Sequence, residues 1–195
     1  MVLAFIIASA AQSPVILYSV IYGETFINTQ CEKEEGQEGS DSISFIRKQR
    51  NLLEKDVVRK VKVEFDFNNS CVLPSPFGTI EPFLDSREHE TGGVFSYRFK
   101  NGEEKVICWH SLKGRIYILL CEKHENRVLA GRILITLVAK LQEYLPAANV
   151  ILMEPINKVE IVASLVNTFL PNGQLLFVHH RPLKQLDKNL HKLVA

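Results

Sequence analysis

The side chains best suited to chemistry are four residues in two apolar stretches. The adjacent pair His179 and His180 could ligate a metal ion, and Cys108 with His110 could form a thiol and its base. Neighbouring strand residues point to opposite faces, so the histidine pair cannot chelate one ion from one side. Cys108 and His110 would share a face, but no third group is evident, which favours core packing. We therefore expect neither a metal site nor a nucleophile here.

An acidic run in a proline-marked segment is the remaining candidate for acid–base work. Because prolines mark this segment as irregular, we interpret the acidic run as part of a solvated loop. The sequence also has no phosphate-binding glycine loop, no Gly-x-Ser-x-Gly, no His-Glu-x-x-His and no deaminase signature. We expect no catalytic residue, no cofactor and no enzymatic activity. A small enzyme with a site between segment 66–93 and the sheet stays open as an alternative. The acidic run comprises Glu81, Asp85, Glu88, His89 and Glu90.

Composition predicts one ordinary globular domain spanning 1–195. The chain has 195 residues, of which 46% are hydrophobic and 23% charged, enough to bury a sizeable core. A net charge of +1 gives no global field that would attract nucleic acid, and no nucleic-acid partner is expected. The four cysteines are widely separated, which indicates reduced thiols in the cytosol.

The first twenty-three residues allow two interpretations. Val2 to Ala8 could be the apolar core of an export signal, but the first basic residue is Lys33, and Pro14 interrupts any spanning helix. The alternative is a hairpin of two strands, Val2 to Ala8 and Val15 to Tyr22. We favour the hairpin, and so expect a protein that is neither secreted nor membrane-spanning.

An acidic loop, 24–41, precedes a predicted helix. The helix has a core line of Ile43, Ile46, Leu53, Val57 and Val61. Its other face is basic, and it could dock on an anionic lipid surface or an acidic partner, or simply be a solvated face balanced by the acidic loop. We favour the solvated face. The basic residues are Arg47, Lys48, Arg50, Lys55, Arg59, Lys60 and Lys62.

The middle of the chain predicts a second hairpin and a buried strand. Segment 66–93 contains three prolines and Gly92-Gly93, so we expect a flexible loop there. Asn101-Gly102 then separates strand-forming residues on both sides, the pattern of a tight hairpin between Val94–Lys100 and Glu104–His110. Arg115 to Cys121 is apolar at consecutive positions, which indicates a strand covered on both faces.

Two apolar helices and a short tail complete the chain. Val128 to Leu145 is apolar over about half its circumference, wider than the stripe of about 100° that seats on one sheet. A second helix, Ile156 to Leu170, ends at Pro171-Asn172-Gly173. Gln174 to His179 predicts a strand, and Pro182 to Leu193 a terminal helix. The predicted fold is α+β: an antiparallel sheet flanked by helices, with Val2–Ala8 and Arg115–Cys121 as central strands.

This element order resembles the longin-like fold of vesicle-adaptor small subunits, a five-stranded antiparallel sheet flanked by helices. More specifically, the chain is similar to the sigma, or small, subunits of the fifth heterotetrameric adaptor-protein complex. The matching features include Leu17-Tyr18-Ser19 with Gly23, the Arg47-Lys48 helix start, and the block from Phe169 to Phe177. An extra strand and helix after Leu170 depart from the sigma subunits of clathrin adaptors, whose cargo pocket has no matching residues here.

The resemblance implies a non-enzymatic subunit of a cytoplasmic coat that sorts cargo at late endosomes and lysosomes. Its expected partners are the zeta large subunit, the beta and mu subunits, and the associated proteins spatacsin and spastizin, with peripheral membrane association through the complex. A longin subunit of a membrane tether or a small-GTPase exchange complex is the alternative. Since the two late helices carry more apolar surface than one small sheet covers, we expect part of it to bind the large subunit. The expected interface residues are Leu129, Ile133, Leu137, Leu141, Val159, Val162 and Val166.

Overall fold

Eight regular elements and one short turn make up the described part of the chain. A computed structural model describes residues 1–22, 41–71, 91–99, 102–145 and 159–175. In chain order the elements are β1 (Val2–Ser9), β2 (Ile16–Ile21), α1 (Asp41–Cys71), β3 (Thr91–Arg98), β4 (Glu104–Leu112), β5 (Arg115–Glu122), α2 (Arg127–Tyr144), α3 (Val159–Phe169) and a 3-10 turn (Pro171–Gly173).

The five strands form one antiparallel sheet in the order β2-β1-β5-β4-β3. β1 lies between β2 and β5, with Phe5 opposite Val20 on one side and Leu119 on the other. All eight residues of β1 are buried, as are the first seven of β5. The α+β, longin-like architecture and the inner positions of these two strands are therefore confirmed.

Side chains on the two faces of the sheet enter two separate hydrophobic clusters. Phe5, Cys108 and Leu119 face α2 and α3, whereas Ile6, Trp109 and Ile118 face α1. This alternation follows from the two-residue period of a strand and explains the unbroken apolar runs that the sequence shows. The sheet is thus the middle layer of three, with one helix on one side and two on the other.

The alternation in β1 is interrupted once, near its start. The pairing register with β5 shifts between Val2 and Ala4, so Leu3 and Ala4 both face α1 while Val2 faces the other cluster. One extra residue on one strand of an antiparallel pair has this effect, because it turns the following side chains to the other face.

The second burial partner of α2 is α3. Residues from both helices share the cluster that covers one face of the sheet, including Leu134 and Val138 of α2 and Leu165 of α3. This packing confirms that the broad apolar face of α2 needed more than the sheet to cover it. On the other side, Val57, Val58 and Val61 of α1 are buried against the sheet, while Ile46, predicted in the same core line, is about one-third exposed.

The ends of the predicted loop 66–93 are regular structure, which corrects its boundaries. α1 continues to Cys71, and β3 begins at Thr91, so Gly92 and Gly93 lie in a strand. A Cβ on Gly93 would lie 2.9 Å from Trp109 Nε1, and one on Gly92 would lie 3.0 Å from the Trp109 carbonyl oxygen. Glycine is present because β4 passes too close for a side chain, rather than because the chain turns. Residues 72–90 lie outside the described residues, as does loop 24–40.

The hairpin between β3 and β4 is confirmed, but its closing residues differ from those of a two-residue turn. The Phe99 N–H donates to the Glu103 carbonyl at 2.8 Å, and the Gly102 N–H donates to the Phe99 carbonyl at 2.9 Å. Three residues therefore lie between the closing pair, with Gly102 at a positive φ of 84°. A three-residue connection with glycine at the left-handed position is a common alternative to the Asn-Gly turn.

The end of α3 has the backbone geometry that its sequence predicts. Asn172 and Gly173 have φ values of 51° and 74°, and the Gly173 N–H donates to the Leu170 carbonyl at 3.1 Å. The chain thus leaves the helix through two left-handed residues. Of the predicted strand 174–179 only Gln174 and Leu175 are described, and they are not in a strand. The predicted terminal helix lies outside the described residues.

Candidate partner-binding surface

Polar contacts at both ends fix α2 across the sheet. Asn126 caps the helix, its side-chain oxygen accepting from the Leu129 N–H at 3.0 Å. The next residue, Arg127, donates to Ser96 Oγ of β3 at 3.1 Å. Near the other end, Gln142 donates to the Tyr117 hydroxyl of β5 at 3.1 Å. The start of the helix is thereby held at the edge strand and its end nearer the middle of the sheet.

The seven predicted interface residues fall into two groups. Leu129 is half-buried and Val159 is half-exposed, so both keep part of their side chain at the surface. The other five are buried in the protein's own core, between α2, α3 and the sheet: Ile133, Leu137, Leu141, Val162 and Val166. These five are not accessible to a partner unless the helices separate.

The outward side of α2 carries apolar residues that periodicity alone did not single out. Val128 is 74% exposed and Ile135 51% exposed, two turns apart on the helix. Gly131 lies between them, and a Cβ there would have no atom within 4 Å. Val94 of β3 is also exposed, and it pairs with Cys108, whose side chain lies on the α2 side of the sheet. We call Val94, Val128, Gly131 and Ile135 the α2 surface.

A sequence signal for the α2 surface did exist. Val128 and Ile135 are apolar residues placed outside the buried line of the helix, where a solvated helix normally has polar residues. The sequence indicates the width of the apolar face of α2, but only the position of α3 separates the buried part of that face from its exposed part.

Cys108 and His110, the pair that sequence alone could make a thiol and its base, lie in the core, as expected. Cys108 is fully buried, and its sulfur shares a hydrogen bond with that of Cys121 on the neighbouring strand. This contact and burial raise the pKa of the Cys121 thiol. His110 is also buried. The packing agrees with the interpretation of Cys108 as a core residue, since a reactive thiol needs an exposed, electropositive setting.

Buried tyrosines are the other titratable groups of the interior. Burial raises the pKa of Tyr117, an effect that its hydrogen bond with Gln142 and the nearby Arg115 only partly oppose. Tyr22 is likewise buried, and its pKa is raised by burial and by Tyr18. Both hydroxyls are therefore neutral across the physiological range, as expected of structural side chains.

The described ranges contain no group of three histidine, cysteine or acidic side chains that could hold a metal ion. His179, His180 and the acidic run from Glu81 to Glu90 lie outside them. Among the helices that the structure describes, none combines the length and apolarity needed to span a membrane.

The three layers of the described residues, with one helix on one side of an antiparallel sheet and two on the other, define the class of longin-like domains. The sequence model of one family within that class, AP-5 complex subunit sigma-1, matches residues 1–191. The chain belongs to this family and is a small adaptor-complex subunit. A search of curated proteins returned no match.

Proposed function

We propose that this protein is the non-enzymatic small subunit of a heterotetrameric adaptor complex that sorts cargo in vesicle-mediated transport between endosomes and lysosomes. The observation that carries the proposal is the family match over residues 1–191, which includes every described element. The subunit would be cytoplasmic and peripheral on late endosome and lysosome membranes, held there by the complex.

The proposed partners are the other subunits of that complex: a zeta large subunit, a beta subunit and a mu subunit. Spatacsin and spastizin are proposed as associated proteins. The α2 surface, with the adjacent Leu129, is the proposed contact with the large subunit, and Val159 at the start of α3 is a second proposed contact. Exposed apolar side chains on a rigid helix favour this role, because contiguous apolar surface on a soluble protein commonly marks a protein interface.

The geometry of the α2 surface suits an interface that forms without rearrangement. The capping bond at Asn126 and the Arg127–Ser96 contact hold the helix start against β3, so Val128 projects from a fixed position. Pre-ordered side chains lose little conformational entropy on binding, which improves affinity for a given area.

Affinity purification of the tagged full-length chain from cells tests the proposal. We expect the other adaptor subunits in stoichiometric amounts. Ile135→Asp should reduce their recovery at least tenfold, because a buried, unpaired carboxylate at an interface costs more than about 1.4 kcal/mol. Val15→Asp is the matched control, since Val15 is 52% exposed and Ile135 51% exposed, but Val15 lies in the connection between β1 and β2.

Recovery of a nucleotide-bound GTPase, in place of a large adaptor subunit, would support the exchange-complex alternative and contradict the proposal. If Ile135→Asp and Val15→Asp lost the other subunits equally, the proposed complex would still stand, but the α2 surface would be ruled out as the contact with the large subunit.

A further inference from the structure

The outward face of α1, on the opposite side of the sheet from the α2 surface, carries three large apolar side chains in solvent. Leu52, Val63 and Phe67 are each more than 60% exposed, although the same helix buries Val57, Val58 and Val61. Leu52 and Val63 are eleven residues apart, about three turns, so they project in nearly the same direction. Their exposure is therefore a property of one face of the helix.

Basic residues occupy the same face. At about 100° per residue, Lys48, Lys55 and Arg59 fall within about 60° of the direction of Leu52, and all three are exposed. This outward set, Lys48, Leu52, Lys55, Arg59, Val63 and Phe67, is the α1 face. It extends over roughly 30 Å at 1.5 Å per residue.

Three acidic side chains in the described part of the helix have partners other than these bases. Glu54 is buried and pairs with Arg50, the Nε–Oε1 distance being 3.3 Å. Asp56 accepts a hydrogen bond from the Tyr97 hydroxyl at 3.0 Å. Asp66, which points the same way as Leu52, is paired with Lys62. The α1 face consequently combines positive charge with protruding apolar side chains.

Two kinds of partner match that combination, an acidic protein surface and an anionic bilayer. Cores of protein interfaces are depleted in lysine, whose flexible, strongly hydrated ammonium is costly to desolvate. Lysine and arginine interleaved with leucine and phenylalanine on a helix that lies flat is instead the composition of membrane-surface helices, in which the bases stay among the headgroups. On a bilayer, the apolar side chains of the α1 face would enter the membrane surface and its basic side chains would bind headgroups, so no charge would be buried.

We propose that the α1 face lies on an anionic lipid bilayer, with Leu52, Val63 and Phe67 entering the interfacial layer and Lys48, Lys55 and Arg59 meeting anionic headgroups. The proposal rests on the proposed coat function only for the presence of a nearby membrane. It places the lipid contact and the α2 surface on opposite sides of the sheet, so that both can be occupied together.

Vesicle co-sedimentation of the full-length chain tests the proposal. We expect binding to phosphatidylcholine vesicles that contain phosphatidylserine, weak binding to phosphatidylcholine alone, and a decrease as salt is raised. Lys55→Gln with Arg59→Gln should weaken partitioning about thirty-fold, which corresponds to about 1 kcal/mol for each base. Leu52→Ser with Phe67→Ser should weaken it about tenfold on the same vesicles.

The matched control removes two exposed bases elsewhere, Arg132→Gln with Lys123→Gln, and should bind as the unchanged protein does. Failure of the unchanged chain to bind the anionic vesicles at low salt would overturn the proposal, as would an equal loss in the control. If the Lys55/Arg59 variant kept its lipid binding but lost another adaptor subunit on purification, the α1 face would be a protein interface. Recovery of all subunits with this variant, together with lost lipid binding, would support the proposal and leave the coat function intact.

Discussion

Gly173 offers the sharpest test of how the end of α3 holds the sheet. Its φ of 74° lies in the left-handed region, and a Cβ there would collide with the Val2 carbonyl oxygen and lie 2.8 Å from the Tyr22 Cβ. The turn after α3 therefore packs directly on the start of β1 and the end of β2. Gly173→Ala would have to move backbone, since neither obstacle is the end of a flexible side chain.

The expected cost has two parts. A left-handed conformation costs an alanine about 1–2 kcal/mol, and overpacking a close contact adds about 1–3 kcal/mol. Their middle values give a loss of roughly 3.5 kcal/mol in the free energy of unfolding. For a chain of this length, such a loss lowers Tm by roughly 7–14 °C.

Two other glycines supply controls within the same chain. Gly102 also has a positive φ, 84°, but no atom lies within 4 Å of its Cβ position, so Gly102→Ala should cost only the backbone part, about 1–2 kcal/mol. Gly131 is helical and equally open, so Gly131→Ala should stabilise the protein by about 0.5–1 kcal/mol. Urea unfolding followed by circular dichroism measures the free energy of unfolding of the three variants and ranks them. Equal losses for Gly173→Ala and Gly102→Ala would refute the close contact.

Three further predictions concern the core. Phe5→Asp and Ile6→Asp should both abolish folding, one on each face of β1, whereas Val15→Asp should not; loss of the circular dichroism signal and of soluble protein is the measurement. Because burial raises the pKa of Tyr22 and Tyr117 above the usual 10.0, the unfolded state ionises first, so stability should hold below about pH 10 and fall above it. Tyr22→Phe should reduce that alkaline loss of stability at little cost near neutral pH, because the Tyr22 hydroxyl has no partner in the described ranges. Tyr117→Phe should cost about 1 kcal/mol near neutral pH, because it breaks the hydrogen bond with Gln142. Urea unfolding at a series of pH values distinguishes the two variants, and identical stability of both at every pH would contradict the prediction. Brief alkylation of the native protein should label exposed Cys71 and spare buried Cys108 and Cys121, which should react only in denaturant; native labelling of either, seen by peptide mass, would contradict their packing.

The sequence predicted the elements whose signals are local. Apolar runs in β1 and β5 indicated strands buried on both faces, and the Pro171-Asn172-Gly173 stop placed the end of α3 correctly. Predictions from such signals agree with the structure because they depend only on backbone geometry and on the side-chain period within a single element.

What the sequence could not show depends on contacts between distant residues. Gly92 and Gly93 suggested a turn, yet they accommodate Trp109 in the next strand. Ile133 and Val166 suggested an interface, yet each helix buries the other's apolar residues, and only the position of α3 leaves Val128 and Ile135 outside. The α1 face was likewise predicted as basic, but its three protruding apolar side chains became visible only when the buried side of the helix was known.

The central position of β1 sets a constraint on synthesis. Phe5 of β1 pairs with Leu119 of β5, so more than one hundred further residues must be synthesised before β1 can pair with β5. At about 5–20 residues per second, a ribosome leaves the apolar hairpin of β1 and β2 without β5 for roughly 5–20 s. During that interval an eight-residue strand that is buried on both faces in the finished domain is exposed on the nascent chain. We expect this hairpin to be the segment that chaperones shield, and its aggregation to limit the yield of the free subunit.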